Sequence, residues 1–373
     1  MAKPSSVKVV EVCSVAPKPS SGPDSAHLED LSLPLTFFDL HWLRFPPSQS
    51  LFFYEMSSFN ASHFFDSILP KLKTSLSATL QHFVPLAGNL TWPLDSPEPL
   101  LSYLKGNTIM LTIAESDADF HQYHSLVPQL AMSHEKAAVL ALQITVFSKD
   151  GFLIGSAMHH AASDGLSALL FFKIWGVPPP LPSYDRKVIN DPAGLHEIYS
   201  NDWAEETKTE RVFFIIHVDC RSRLDPPLPP TYFGNCIAGH LAVAETNDLL
   251  GEDGMFVALK AIRDVIKSLD KTLLEGAETW VSRMFNTLQP NADRIIPAAG
   301  SPRFEFYDAA DFGWGRPTKH ELVSIDKTGT MSFQESKNGD GGVEVGLVLK
   351  KHYMEAFASL FAKGLEENLT RMQ

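Results

Sequence analysis

The stretch from Phe152 to Leu170, FLIGSAMHHAASDGLSALL, constrains the fold most strongly. It joins an apolar strand to an apolar helix through a short turn that carries His160 and Asp164 in an H-x-x-x-D-G arrangement. Both flanking elements read as buried, so the turn places an imidazole where a buried strand ends. A hydroxyl becomes a useful nucleophile near neutral pH only when something takes its proton. Imidazole, with a reference pKa of about 6.5, is the side chain best matched to that task. Neighbouring strand residues point to opposite faces, so His159 and His160 diverge while the strand continues. The four-residue step from His160 to Asp164 spans a turn, which lets the carboxylate tie that turn or pair with a cation. Taken alone, the motif fits a buried histidine and a helix-capping aspartate better than a catalytic arrangement. His159, His160 and Asp164 make a poor metal set, because the histidines diverge and no third one accompanies them.

Around this segment the pattern alternates strands and helices. Short alternating or apolar runs predict strands at 7–15, 51–55, 109–114, 139–147 and 152–159, the last two joined by a hairpin at 148–151. Residues 63–83 read as an amphipathic helix with a kink or late start at Pro70, and 166–175 as a buried helix. The proline-rich run from Gly176 to Ser183 opens a polar stretch to about Glu206, the best linker candidate. Beyond it, strands are expected at 211–218, 303–307, 321–325, 330–333 and 343–349, with helices at 255–269 and 352–363. The reading is α/β, with one lobe over 1–180, a crossover at 181–206 and a second lobe of similar kind over 207–373.

Charge narrows the function. The formal net charge of -13 is scattered, with no basic face of the kind nucleic acid requires. The three cysteines, Cys13, Cys220 and Cys236, are odd in number and widely spaced. They offer no disulfide framework or zinc spacing, and a reducing compartment is expected. No stretch is apolar and long enough to span a bilayer, and the first residues lack a signal-peptide core. A cytoplasmic protein without membrane partners follows as the expectation.

Two further segments stand out. Asp311-Phe312-Gly313-Trp314-Gly315 reads as a tight turn plugged by aromatics, with glycines supplying backbone angles other residues avoid. Its likeness to a kinase D-F-G lacks every accompanying motif. Between Asp219 and Cys236 lie Arg221 and Arg223, candidate partners for Asp164, and then Tyr232-Phe233-Gly234-Asn235-Cys236. No phosphate-binding loop or dinucleotide fingerprint is present, which ranks nucleotide hydrolysis and hydride transfer low.

Taken together these segments resemble the plant BAHD acyltransferases. His160 to Gly165 resembles the family's H-x-x-x-D motif and Asp311 to Gly315 its D-F-G-W-G. Tyr232 to Cys236 is similar to the Y-F-G-N-C of the branch that acylates anthocyanins and other phenolic glycosides, as are Leu33 to Asp39 and Ser75 to Phe83. The resemblance implies two chloramphenicol-acetyltransferase-like α/β domains with a channel between them. It makes His160 the general base and Asp164 an architectural residue paired with Arg221 or Arg223. It places Asp311 to Gly315 away from the chemistry, shaping the CoA-binding lobe. It implies an acyl-CoA co-substrate, malonyl or hydroxycinnamoyl, with a phenolic glycoside as acceptor, no metal and a monomeric enzyme. A malonyl carboxylate requires a facing cation, for which Arg186 is a distant candidate. Against the family pattern the chain is short around 120–124, after Trp175 and between Trp203 and Glu210. Ala298 to Pro302 stands where many members carry a tryptophan near the expected oxyanion. The alternative reading is therefore a shortened, non-catalytic paralogue that binds CoA or a phenolic ligand without turnover.

Overall fold

The computed structural model describes residues 7–19, 29–43, 45–92, 99–117, 126–133, 136–148, 150–176, 181–191, 194–196, 211–251, 253–280 and 295–371. The stretches 120–124 and 203–210, and much of the 181–206 crossover, lie outside the described residues. Fifteen strands are described: β1 (Val7–Val15), β2 (Leu31–Pro34), β3 (Ser48–Glu55), β4 (Asn89–Thr91), β5 (Leu100–Tyr103), β6 (Ile109–Ser116), β7 (Lys136–Ala138), β8 (Leu140–Phe147), β9 (Gly151–Met158), β10 (Arg211–Asp219), β11 (Ile237–Glu245), β12 (Ile295–Gly300), β13 (Lys319–Leu322), β14 (Met331–Glu335) and β15 (Val343–Gly346). They form a six-stranded sheet ordered β1-β6-β8-β9-β3-β13, a five-stranded sheet ordered β11-β10-β12-β14-β15, and a small sheet ordered β2-β5-β4-β7.

The central strands β8 and β9 are buried at every position, as their nearly unbroken apolar sequences require of strands covered on both faces. They meet through a tight connection ending at Gly151, whose φ is +139°. A Cβ there would fall 1.9 Å from the Tyr54 carbonyl of β3, so only glycine lets the strands close. The second half of the chain also contributes a strand to the first large sheet. Strand β13, from the second half of the chain, runs antiparallel to β3 at the edge of the first sheet.

The helix expected over 63–83 is divided. Ala61–His63 leads into a π-helical turn at Phe64–Ile68, and an α-helix follows over Leu69–Leu80. Pro70 sits in the first turn of that last segment, where its missing N–H has no intrahelical partner to lose, and the wide turn ahead absorbs the change. The strand expected at 303–307 is replaced by a turn and a short helix over Phe306–Ala309. Its aromatic alternation serves packing instead: Phe306 lies 4.8 Å from His320 and 5.9 Å from Phe304. The strand expected at 321–325 is β13, which ends at Leu322, and Ile325–Thr328 turns helical. Among the described residues no helix is long and apolar enough to cross a membrane.

Candidate active site

His160 follows the end of β9 directly. The His159 N–H still pairs with the Val139 carbonyl at 2.8 Å, and the Ala162 N–H closes a turn onto the His159 carbonyl at 3.0 Å. His159 points inward, buried, with Nδ1 accepting from the Ala161 N–H at 3.3 Å. His160 leaves on the other side and lines a cavity of about 410 Å³. That cavity lies between the large sheets, walled by β3, β9 and β13 on one side and by β10, β12 and β14 on the other.

The imidazole of His160 stacks on the Trp42 indole, ring centres 4.1 Å apart and planes 13° from parallel. Its Nδ1 is enclosed without a partner on another residue, whereas Nε2 is not among the enclosed atoms and is the nitrogen that meets the cavity. Burial pushes the ring's pKa down to about 4, against the small opposing pull of its own main-chain oxygen. At neutral pH the ring is therefore an uncharged base with a lone pair toward the cavity.

Asp164 also borders that cavity, but its carboxylate is committed to protein donors. Its Oδ1 caps the helix Gly165–Gly176 by accepting from the Ser167 N–H at 2.9 Å, and its Oδ2 accepts from the Cys236 N–H at 3.1 Å. Arg221 grips both oxygens, Nη1 to Oδ2 at 2.8 Å and Nη2 to Oδ1 at 3.0 Å. Burial alone would raise the carboxyl's pKa, but the guanidinium and the two main-chain donors more than offset it and hold it below its usual range. Arg221 also contacts Asp219, while Arg223 stands exposed on the next turn.

Tyr232 to Cys236 clamps the same turn. Gly234 exchanges two 3.0 Å hydrogen bonds with the Ser167 hydroxyl, and Asn235 Nδ2 donates to the His160 carbonyl at 2.8 Å. Asn235 is itself fixed by Asp39 Oδ1, which accepts from its N–H at 3.0 Å and its Nδ2 at 3.1 Å. The other oxygen of Asp39 accepts from Thr36 and from Arg186 Nη1, and Arg186 also donates to the Tyr232 hydroxyl at 2.7 Å. Arg186 is thus buried in a structural pair and lines neither described cavity, which withdraws it as a cation for a malonyl carboxylate. None of residues 232–236 lines either of these two cavities, and they hydrogen-bond to the histidine turn and the start of the following helix. Asp39, Trp42 and Ser167 were not marked by sequence as site residues, and Asn235 was marked only as part of the Y-F-G-N-C segment. The only local signal was the Thr36–Asp39 helix-capping spacing.

Asp311 to Gly315 sits at the far end of the same helix. Asp311 Oδ1 accepts from the Gly313 and Gly315 N–H groups at 2.8 and 3.2 Å, and those glycines have φ of +87° and +104°. Phe312 packs edge-on against Trp175 at 4.7 Å, and a Cβ at Gly176 would fall 2.5 Å from the Asp311 carbonyl. The helix Gly165–Gly176 is therefore held at its start by Arg221 and residues 232–236, and at its end by residues 309–312. No residue from 311 to 315 lines either of these two cavities. Among the described residues no three His, Cys, Asp or Glu side chains converge as a metal site.

Three buried imidazoles and the half-buried ring of His160 make the molecule acid-sensitive. Desolvation lowers His41 and His320 to about 3, and His159 and His160 to about 4. Above pH 6.5 folded and unfolded chains are both neutral at these rings. Below it the unfolded chain takes up protons that the folded chain refuses, so stability falls as pH drops from 6.5 towards 4. Each such ring costs about 1.4 kcal/mol per pH unit across that window. The urea midpoint is expected to fall steeply between pH 7 and pH 5; an unchanged midpoint contradicts the burial of these rings.

The Transferase family model matches residues 21–177 and 200–363. The chain is 34% identical to a malonyl-CoA:anthocyanidin 5-O-glucoside-6''-O-malonyltransferase of Arabidopsis thaliana, covering 97% of this chain and 99% of that one. That alignment runs over 458 positions against 373 residues here, so internal stretches of the relative have no counterpart. An agmatine coumaroyltransferase of the same plant is 32% identical, covering 96% of this chain and 99% of that one. Among solved structures, vinorine synthase superposes with a TM-score of 0.68 at 19% identity, covering 94% of this chain and 96% of that one.

Proposed function

Because the chain belongs to the BAHD acyltransferases of the Transferase family, we propose that it moves an acyl group from coenzyme A to a sugar hydroxyl of a phenolic or flavonoid glycoside, with His160 as general base. One observation carries the reading: an uncharged imidazole presents Nε2 to the cavity between the two sheets. In the proposed reaction Nε2 takes the proton of the acceptor hydroxyl as its oxygen attacks the thioester carbonyl. The tetrahedral adduct collapses with loss of the C–S bond, and the departing thiolate takes the proton back from the imidazolium as free thiol. The Trp42 face lies against the ring and stabilises its charged form. Asp164, fixed by Arg221, positions the turn and takes no part in proton transfer.

The donor is an acyl-CoA, malonyl or hydroxycinnamoyl. The two relatives named above carry one acyl type each at nearly equal identity. The described lining of the main cavity holds one guanidinium, Arg221, already committed to Asp164 and Asp219. It also holds Trp42, Phe45, Phe172, Phe304, Phe306 and Phe333, which suit an aromatic acyl group. Incubation with malonyl-CoA or coumaroyl-CoA and a flavonoid glucoside, read by mass spectrometry of the products, tests the reading. An ester formed with equimolar free CoA supports it. Ligand binding without ester from any common acyl-CoA supports the shortened, non-catalytic alternative instead.

A further inference from the structure

A second imidazole borders the same space. His217, on β10, lines the main cavity and also a neighbouring one of about 230 Å³. Phe45 and Pro297 likewise wall both, and Trp280, Leu241 and Val265 make much of the second apolar. The His217 Nδ1 atom is hydrogen-bonded to the Ala298 carbonyl. A carbonyl only accepts, so Nδ1 carries the proton and Nε2 carries the lone pair. Burial keeps the ring's pKa below its usual value even with that bond in place, and the ring is neutral at pH 7. Nε2 is not among the enclosed nitrogens, so it is the atom that meets the cavity. One indole ties the two rings together: Trp42 stacks on His160 at 4.1 Å and lies tilted against His217 at 5.2 Å.

We propose that His217 is an acceptor-positioning residue whose Nε2 takes a hydrogen bond from a second hydroxyl of the same polyol that His160 deprotonates. The inference rests on the acyl-transfer reading for the role of His160, and it adds that a second hydroxyl of the acceptor is read beside the reacting one. Two lone-pair nitrogens set around one indole in an apolar wall select a ligand with two O–H donors. A monohydroxy alcohol leaves one of those nitrogens enclosed and unpaired, which disfavours it by roughly tenfold or more.

Equilibrium binding tests this without requiring turnover. The full chain, H217L and H217Q are titrated calorimetrically with a flavonoid glucoside and with its deoxyglucoside series, each lacking one sugar hydroxyl. Wild type is expected to lose roughly tenfold or more affinity for one deoxyglucoside. H217L is expected to bind the parent glucoside that much more weakly and to ignore the same deletion. H217Q, which keeps a donor for Ala298 and an acceptor for the ligand, is expected to recover part of the discrimination. Where turnover is present, KM for the acceptor follows these changes and KM for the acyl-CoA does not. The proposal is overturned if H217L discriminates like wild type, if it weakens every glycoside equally, or if wild type binds no glucoside. Discrimination by His217 without any ester formed would instead uphold this subsite and reject acyl transfer.

Discussion

His160→Ala is expected to lower kcat by about a hundred- to ten-thousand-fold, with KM for both substrates and the melting temperature little changed. The size follows from losing proton removal while the rest of the site persists. The turn that carries His160 is held through its backbone, by Asn235 on its carbonyl and by the Ala162 to His159 closure, neither of which needs the imidazole. The Trp42 face and the cavity walls likewise remain. A variant that unfolds, or one that keeps wild-type kcat, contradicts the assignment. His159→Ala is the control: that ring is buried among β-strand neighbours and lines neither cavity, so its loss reads out in stability and not selectively in kcat.

Arg221→Ala is expected to reduce the unfolding free energy by about 3–5 kcal/mol, the typical cost of leaving a buried carboxylate without its cation. Arg221 and Asp164 are 4% and 2% exposed, so solvent screens this pair little. The guanidinium also donates to the Gly234 carbonyl at 2.9 Å, and its removal loosens the clamp on the helix start. Denaturant melts of Arg221→Ala and Arg221→Lys measure this. Lysine keeps the charge but cannot hold both carboxylate oxygens and Gly234 together, so it should recover only part of the loss. Arg223→Ala, on the exposed turn, should change stability far less. Equal losses for Arg221→Ala and Arg223→Ala would contradict the clamp.

The histidine turn was legible in the sequence because its signals are local. An apolar strand, a small-residue turn and a capping aspartate fall within one short run, and the structure joins them as strand β9, turn and helix Gly165–Gly176. What holds the turn was not legible. Asn235 and Asp39 meet across 196 positions of sequence, and Arg186 meets Asp39 across 147. No periodicity encodes such pairings, and Arg186 without its partner looked like a loop cation. The Y-F-G-N-C segment was readable as a family mark, yet its physical work, main-chain and amide bonds to the H-x-x-x-D turn, appears only in three dimensions. His217 gave no signal because a lone histidine in the apolar run 212–218 reads as core. Residues 303–307 misled in the opposite direction. Alternating aromatics suggested a strand, but Ser301 and Pro302 start a turn there, and the Glu335 carboxylate accepts from the Tyr307 N–H at 2.9 Å to support a helix instead.

The most direct test of the central claim is nitrogen-15 NMR of the His160 ring between pH 8 and pH 6, where the fold is intact, assigned by the signals that vanish in His160→Ala. A neutral ring protonated on Nδ1, with an unprotonated Nε2 that does not titrate across this range, is the predicted result. A ring that carries its proton on Nε2 would leave no base facing the cavity and would contradict the assignment, while one that titrates near 6.5 would contradict the burial that holds its pKa down.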